Sequence, residues 1–307
     1  MKDIALIFPG QGAQKVGMGK ELYDNIPAAK AVFEKANAVL GYDLTDIIFN
    51  GPEDKLMVTA NCQPAIFTMS MAALEALRDS GRLASVNVLY TAGLSLGEYG
   101  ALCAAGVLSF EDGLKLIQKR GKLMEEAAKA NPGRMAAIIG MDRDILVEIC
   151  REAGCEVANF NAPDQIVITG LADKVSLACD RLTAAGCKKI FPLDVAGAFH
   201  SSLMRPAADQ FVAALSAVPL KDSKIQVITN VTGAPQQNVE DIRANLAKQI
   251  YSSVQWVDTI SYMASQGIID LVEFGPGKVL KGLVRKINPA LNVLNCQNPD
   301  DINTIAF

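Results

Sequence analysis

Val86-Asn87-Val88-Leu89-Tyr90-Thr91-Ala92-Gly93-Leu94-Ser95-Leu96-Gly97-Glu98 runs from an apolar segment straight into a serine bracketed by two glycines. The segment Val86 to Thr91 predicts a buried strand, and a helical pattern starts near Glu98, so the GxSxG turn has the strand, turn, helix context of a nucleophile elbow. Small residues at 93 and 97 let strand and helix approach each other across such a turn, and the serine takes up the backbone strain. Its hydroxyl then projects at a helix N-terminus, where the NH of Leu96 can face a developing oxyanion. The competing reading is a chance match in an Ala- and Gly-rich chain; the flanking strand and helix weigh against it.

The same rhythm extends outward. Ile4 to Phe8 is a short apolar run stopped by Pro9-Gly10, as for a strand buried on both faces of a parallel sheet. Gln226 to Thr229 and Ile268 to Phe274 are similar runs separated by helical patterns, which is the alternation of an α/β fold. Between Gly133 and Val195 the order changes: strand (Met135 to Gly140), helix (Arg143 to Ala153), strand (Glu156 to Phe160), strand (Gln165 to Thr169), helix (Ala172 to Ala185), strand (Lys189 to Val195). That βαββαβ order is the ferredoxin-like split unit. The expected architecture is a parallel-sheet large domain of residues 1–130 and 197–307 with a ferredoxin-like insert at 131–196, and a cleft between them for a ligand.

A chain of 307 residues, half of them hydrophobic, is long enough for a large core with an inserted lobe. Lys plus Arg total 29 against 33 Asp plus Glu, with no run of like charge, so neither nucleic acid nor an anionic membrane is an expected partner. The apolar N-terminal run is too short for a signal peptide, and the uncharged stretch Leu56 to Leu74 carries Asn61, Gln63 and Pro64, which suits buried protein and not a membrane span. A cytoplasmic, monomeric enzyme is expected. The seven cysteines are odd in number and lack any CxxC, so they read as reduced packing residues; with one histidine, the usual ligands of a zinc site are missing and no metal is expected.

That one histidine, His200, lies in Val195-Ala196-Gly197-Ala198-Phe199-His200, ahead of a helical stretch from about Ser202 to Ala217. A helix N-terminus disfavours imidazolium and would help keep the ring neutral. A lone histidine could be a cap or a core residue, but a serine nucleophile needs a base and no other imidazole is available. No acid is assigned to orient it: Asp194 is too close in sequence, and a backbone carbonyl could serve. The helix from Ser109 to Ala130 opens with Ser109 and Asp112 in capping-box spacing, and Arg120 falls within its apolar stripe between Leu116 and Met124. A buried guanidinium needs an anion, supplied either by a structural carboxylate or by the substrate. After the first strand, Phe8-Pro9-Gly10-Gln11-Gly12-Ala13-Gln14 lacks the spacing of a phosphate loop. It is either an ordinary strand-to-helix turn or the place where the NH of Gln11 joins that of Leu96 at an oxyanion.

Seven stretches in order make the chain resemble the malonyl-CoA:acyl carrier protein transacylases over nearly its whole length: Phe8 to Gln14, Gly93-Leu94-Ser95-Leu96-Gly97-Glu98-Tyr99, Gln118-Lys119-Arg120-Gly121, Asn159-Phe160-Asn161-Ala162-Pro163-Asp164-Gln165, Gly197 to Ser201, Tyr251 to Trp256, and Glu273 to Leu280. The resemblance implies a hydrolase-like large domain with a ferredoxin-like insert, and ping-pong transfer of malonyl from coenzyme A to the phosphopantetheine thiol of acyl carrier protein in fatty acid biosynthesis, with both thioesters as substrates and no cofactor. It further implies Ser95 as nucleophile, His200 as base, Gln11 and Leu96 as oxyanion donors, Arg120 as the partner of the malonyl carboxylate, and Gln165 as a supporting residue. His200 would be held by a backbone carbonyl near Tyr251 to Val254, and Ala198-Phe199-His200 is similar to the malonyl type. Leu94 stands where the family usually has histidine, and Ser252-Ser253 where Asn-Pro is frequent. A trans-acting acyltransferase of polyketide synthesis and a serine hydrolase or thioesterase are the alternatives.

Overall fold

The computed structural model describes every residue of the chain except Ala196 and Gln237. Nine strands occur among the described residues: β1 (Lys2–Phe8), β2 (Val86–Gly93), β3 (Gly133–Ile139), β4 (Glu156–Ala162), β5 (Gln165–Leu171), β6 (Lys189–Pro192), β7 (Gln226–Ile228), β8 (Asp270–Phe274) and β9 (Asn292–Cys296). Five of them form one sheet in the order β7-β2-β1-β8-β9, every neighbouring pair parallel. The alternation of β1 shows why it reads as a continuous apolar run. Ile4, Leu6 and Phe8 enter one hydrophobic cluster while Ala5 and Ile7 enter another on the opposite face, so both sides of the strand are covered.

The other four strands form an antiparallel sheet, β4-β5-β3-β6, with the helices Arg143–Ala153 and Ala172–Ala184 packed on it around a separate cluster that includes Ile138, Leu146, Ile168 and Leu182. This is the βαββαβ unit that the sequence pattern leads one to expect. The expected end of the insert, Ala196, lies outside the described residues. The insert meets the large domain at β4: the Phe160 NH donates to Val254 O and the Val254 NH to Ala158 O.

Two element ends and one whole strand differ from the sequence pattern. The strand expected to continue to Val195 stops at Pro192; the Leu193 NH makes a last bond to Met135 O of β3, and the chain then turns with the Val195 NH on Leu193 O. The helix expected from Ser202 begins with a 3-10 turn, Ser202–Met204, and becomes α-helical at Arg205. β9 has no counterpart in the sequence reading, because Asn292 and Asn295 break its apolar pattern and it pairs on one side only.

Close backbone approach, not only turn geometry, explains the two glycines of the serine turn. A Cβ on Gly93 would lie 2.0 Å from the carbonyl of Gly97, and one on Gly97 would lie 2.1 Å from Phe8 O. The turn after β2 is therefore pressed against the end of β1, which brings Ser95 beside Gln11. Gly97→Ala is expected to lower the unfolding free energy in urea by about 3 kcal/mol. Gly282→Ala, in an exposed helical turn where an added Cβ meets nothing within 4 Å, should raise it by about 0.5 kcal/mol. Equal effects at the two positions would contradict the packing argument.

Candidate active site

Ser95 and His200 have φ of 53° and 58°, and they are the two non-glycine residues with positive φ among the described residues. Backbone held in this region costs free energy and persists where surrounding structure over-determines it, so two such residues in contact mark a candidate site. Ser95 Oγ is 2.8 Å from His200 Nε2. The Ser95 NH donates to Asn230 Oδ1 at 2.5 Å, and Ser95 O accepts from Gln249 Nε2 at 2.9 Å. Both sides of the strained peptide are thus fixed by side-chain amides.

His200 Nδ1 faces two backbone acceptors, Gln249 O at 2.9 Å and Ser252 O at 3.2 Å. Carbonyl oxygens only accept, so Nδ1 carries the hydrogen and Nε2 presents a lone pair to Ser95. Ser252 lies in the segment that the family resemblance indicates; the shorter contact, to Gln249, lies just outside it. Asp194 takes no part and sits on the cavity wall. The cause of neutrality also differs from the helix-terminus expectation. Burial, and then the Arg120 cation, push the imidazole down to about 4, against the upward pull of the two carbonyls.

Arg120 is fully buried, as its place in the apolar stripe of the helix Phe110–Ala130 requires. Its partners are neutral: Nη1 donates to Gln63 Oε1 at 2.8 Å, and Nη2 donates to Ser95 Oγ at 2.9 Å and Gln249 Oε1 at 3.0 Å. Nε has no partner, and the Tyr99 ring lies 5.9 Å from the guanidinium carbon. Among the described residues no carboxylate forms an ion pair with Arg120, so no structural carboxylate pairs with it directly. Glu98 acts at one remove, through Gln249, whose Nε2 donates to Glu98 Oε2 at 2.7 Å. Burial pushes the Glu98 carboxyl up to about 7, against the lowering effect of the Asn230 NH, Gln249, Thr229 and Arg120.

A cavity of about 820 Å³ opens over this cluster between the two lobes and is lined by Gln11, Ser95, Leu96, Arg120, Asn161 and His200. The NH groups of Gln11 and Leu96 donate to no protein acceptor among the described residues, so both are free to meet an oxygen in the cavity. Gln165 is elsewhere. It opens β5 with its amide 3.4 Å from Lys286 Nζ, and it is not part of the cavity wall, so the supporting role expected for it has no geometry here. Its motif neighbours Asn159 and Asn161 of β4 line the cavity instead, together with Val167 of β5. Gln63, Asn230, Gln249 and the role of Glu98 escaped the sequence reading. Gln63 had one signal, a polar residue within an uncharged apolar stretch; the amides of Asn230 and Gln249 had none.

The parallel sheet, the antiparallel insert and a serine held against a histidine in the cleft between them suit acyl chemistry, and the relatives of the chain are acyltransferases. Residues 5–285 match the family model described as an acyl transferase domain. The chain is 44% identical to the malonyl CoA-acyl carrier protein transacylase of Bacillus subtilis (strain 168), covering 98% of this chain and 96% of that protein. It is 40% identical to the protein of the same name from Staphylococcus aureus (strain MRSA252), covering 98% of each. The acyl-carrier-protein-S-malonyltransferase structure from Bartonella henselae superposes with a TM-score of 0.94 at 40% identity, over 99% of this chain and 98% of that one. A malonyl-transacylase solved in complex with its type II PKS acyl-carrier protein gives 0.95 at 36% identity, with 99% and 98% covered. The chain belongs to the malonyl-CoA:acyl carrier protein transacylase family.

The one imidazole of the chain gives a direct test of the electrostatics. Its NMR signals should stay those of the neutral ring from pH 8 down to 5 and begin to move only toward about 4. Between an unfolded value of about 6.5 and the folded one, the unfolded chain binds the proton that the folded site refuses. The stability owed to this group is therefore complete above about 6.5 and falls as pH drops through that window. A titration midpoint near 6.5 in the folded protein would refute the assignment.

Proposed function

We propose that this protein transfers a malonyl group from malonyl-CoA to the phosphopantetheine thiol of acyl carrier protein, through a malonyl ester on Ser95. One observation carries the reading: a neutral base and an anion receptor without a carboxylate partner converge on a single hydroxyl, Ser95 Oγ. His200 Nε2 takes the serine proton as Oγ attacks the thioester carbonyl, and the resulting oxyanion is met by the NH groups of Gln11 and Leu96. Collapse of the tetrahedral intermediate breaks the carbon–sulfur bond, and the proton on His200 goes to the departing thiol. The carrier's thiol then gives its proton to His200 and attacks the ester, and the serine regains its proton as the second intermediate breaks down.

Arg120 supports the choice of acyl group. A malonyl carboxylate satisfies donors that are otherwise buried without an anion, whereas a neutral acyl group leaves them so. Carrier as acceptor is supported by the relatives' names and by the solved transacylase with its acyl-carrier protein. The side-chain and backbone groups suffice for each step without a resident cofactor. We place the enzyme in fatty acid biosynthesis, in the cytoplasm and as a monomer, with neither nucleic acid nor membrane as partner. The mildly acidic balance agrees with this, as does the lack of any described helix long and apolar enough to cross a membrane.

Intact-mass measurement after exposure to malonyl-CoA should show one added malonyl group, absent in Ser95→Ala and discharged by holo acyl carrier protein. Persistence of the adduct in Ser95→Ala, or discharge to water as fast as to the carrier, overturns the reading. Arg120→Ala should lower kcat/KM for malonyl-CoA about a hundredfold, or roughly 3 kcal/mol, and change acetyl-CoA turnover far less. Equal losses for the two thioesters would remove Arg120 as the carboxylate receptor.

A further inference from the structure

Glu98 is wholly buried in the first turn of the helix that follows Ser95, and it touches neither Ser95 Oγ nor the cavity wall. Its contacts are nevertheless with the groups that hold the site. Glu98 Oε2 accepts from the Asn230 backbone NH at 3.1 Å and from Gln249 Nε2 at 2.7 Å, and Glu98 Oε1 accepts from Gln236 Nε2 at 3.4 Å. Asn230 in turn takes the Ser95 NH on Oδ1 and gives Nδ2 to Gly93 O at 2.6 Å. Gln249 gives Nε2 to Ser95 O, receives Arg120 Nη2 on Oε1, and offers its backbone carbonyl to His200 Nδ1. One carboxyl oxygen thus holds both residues whose side-chain amides clamp the strained serine peptide, Gln249 by its amide and Asn230 by its backbone.

A side-chain amide can be placed either way round, and its neighbours decide which. At Gln249 the choice matters: turned over, NH2 would face the Arg120 cation and the oxygen would face Ser95 O. Glu98 Oε2 already accepts from the Asn230 NH, so toward Gln249 it serves as an acceptor, and its presence next to Nε2 disfavours the turned-over form. The contact sits in a buried network, where a mismatched pair is costly because no water repairs it. We propose that Glu98 is a positioning residue for malonyl transfer: through Gln249 and Asn230 it sets the direction of Arg120 and the backbone of Ser95, and so contributes to malonyl selectivity without touching substrate.

The inference rests on the transfer reading above. It predicts a pattern that a purely structural role does not. In Glu98→Gln, which keeps size and shape but replaces one acceptor with a donor, KM for malonyl-CoA should rise about tenfold. The ratio of malonyl-CoA to acetyl-CoA turnover should fall by a similar factor, the loss of about one hydrogen bond's contribution. A residue needed only for folding would reduce the fraction of active protein, and hence kcat, with KM and the ratio unchanged. The rates are therefore referred to the Ser95 sites that accept malonyl in the mass measurement. In a Gln249→Met background the link is already cut, and the same change at 98 should alter KM less than twofold. Wild-type KM and selectivity in Glu98→Gln overturn the proposal, as does a full tenfold effect in the Gln249→Met background. If the wild type takes up no malonyl at Ser95, it is the transfer reading that fails.

Discussion

The guanidinium of Arg120 is fully buried, and among the described residues no carboxylate pairs with it; its hydrogen bonds go to Gln63, Gln249 and the serine hydroxyl. Removing a cation from water is expensive, and neutral oxygens return only part of that cost. Burial pushes the guanidinium down from its ordinary value, opposed by Tyr99 and Glu98, yet a group of this kind stays protonated in proteins. The surrounding structure must therefore hold a cation in a place it would not choose. The Tyr99 ring, the oriented amides and the remote Glu98 charge share that work, and the unpartnered Nε leaves part of it undone. An acid substrate can supply what is missing, because it brings its own charge.

The same cation acts on His200. It lowers the affinity of the imidazole for a proton, while the two carbonyls on Nδ1 raise it and burial dominates both. A carboxylate in the place of those carbonyls would raise the proton affinity of the ring further, against the need for a neutral base. Carbonyl oxygens fix the tautomer equally well without offering a full negative charge. The choice of orienting group and the neutrality of the base are in this way one constraint.

Much of the architecture was legible because it depends on periodicity and local sterics. The apolar run Ile4 to Phe8, the βαββαβ order of the insert and the glycines at 93 and 97 each follow from contacts within a few residues or from a face pattern. Arg120 was legible for a similar reason, as the one charge inside a helical stripe. What stayed hidden depends on tertiary placement. Gln249 ends the helix Val239–Gln249, and Asn230 lies past β7, far in sequence from Ser95; nothing local sets them apart from other amides. The oriented carbonyls of Gln249 and Ser252 are backbone groups, which every residue possesses. Gln165 shows the reverse error: a motif was carried over, but only the β4 part of it reaches the cleft.

Leu94 and Ser252-Ser253, the positions at which the chain departs from its family's habit, can be understood in these terms. The Leu94 NH donates to Phe8 O and its carbonyl accepts from the Gly97 NH, so the backbone of the serine turn is held independently of the side chain at 94. The side chain lies on the cavity wall and packs against the cluster that contains Ile7 and Trp256. Leucine there changes the polarity next to Ser95 but not the turn that presents it. At 253 the hydroxyl donates to Val157 O at 2.5 Å, and Val254 bridges β4 through its own NH and carbonyl. These contacts tie the segment to the insert and keep Ser252 O over Nδ1 of His200. Where backbone hydrogen bonds carry the geometry, side-chain identity is free to vary. Where a side chain must present one particular atom, as Gln249, Arg120 and Glu98 do, it is not.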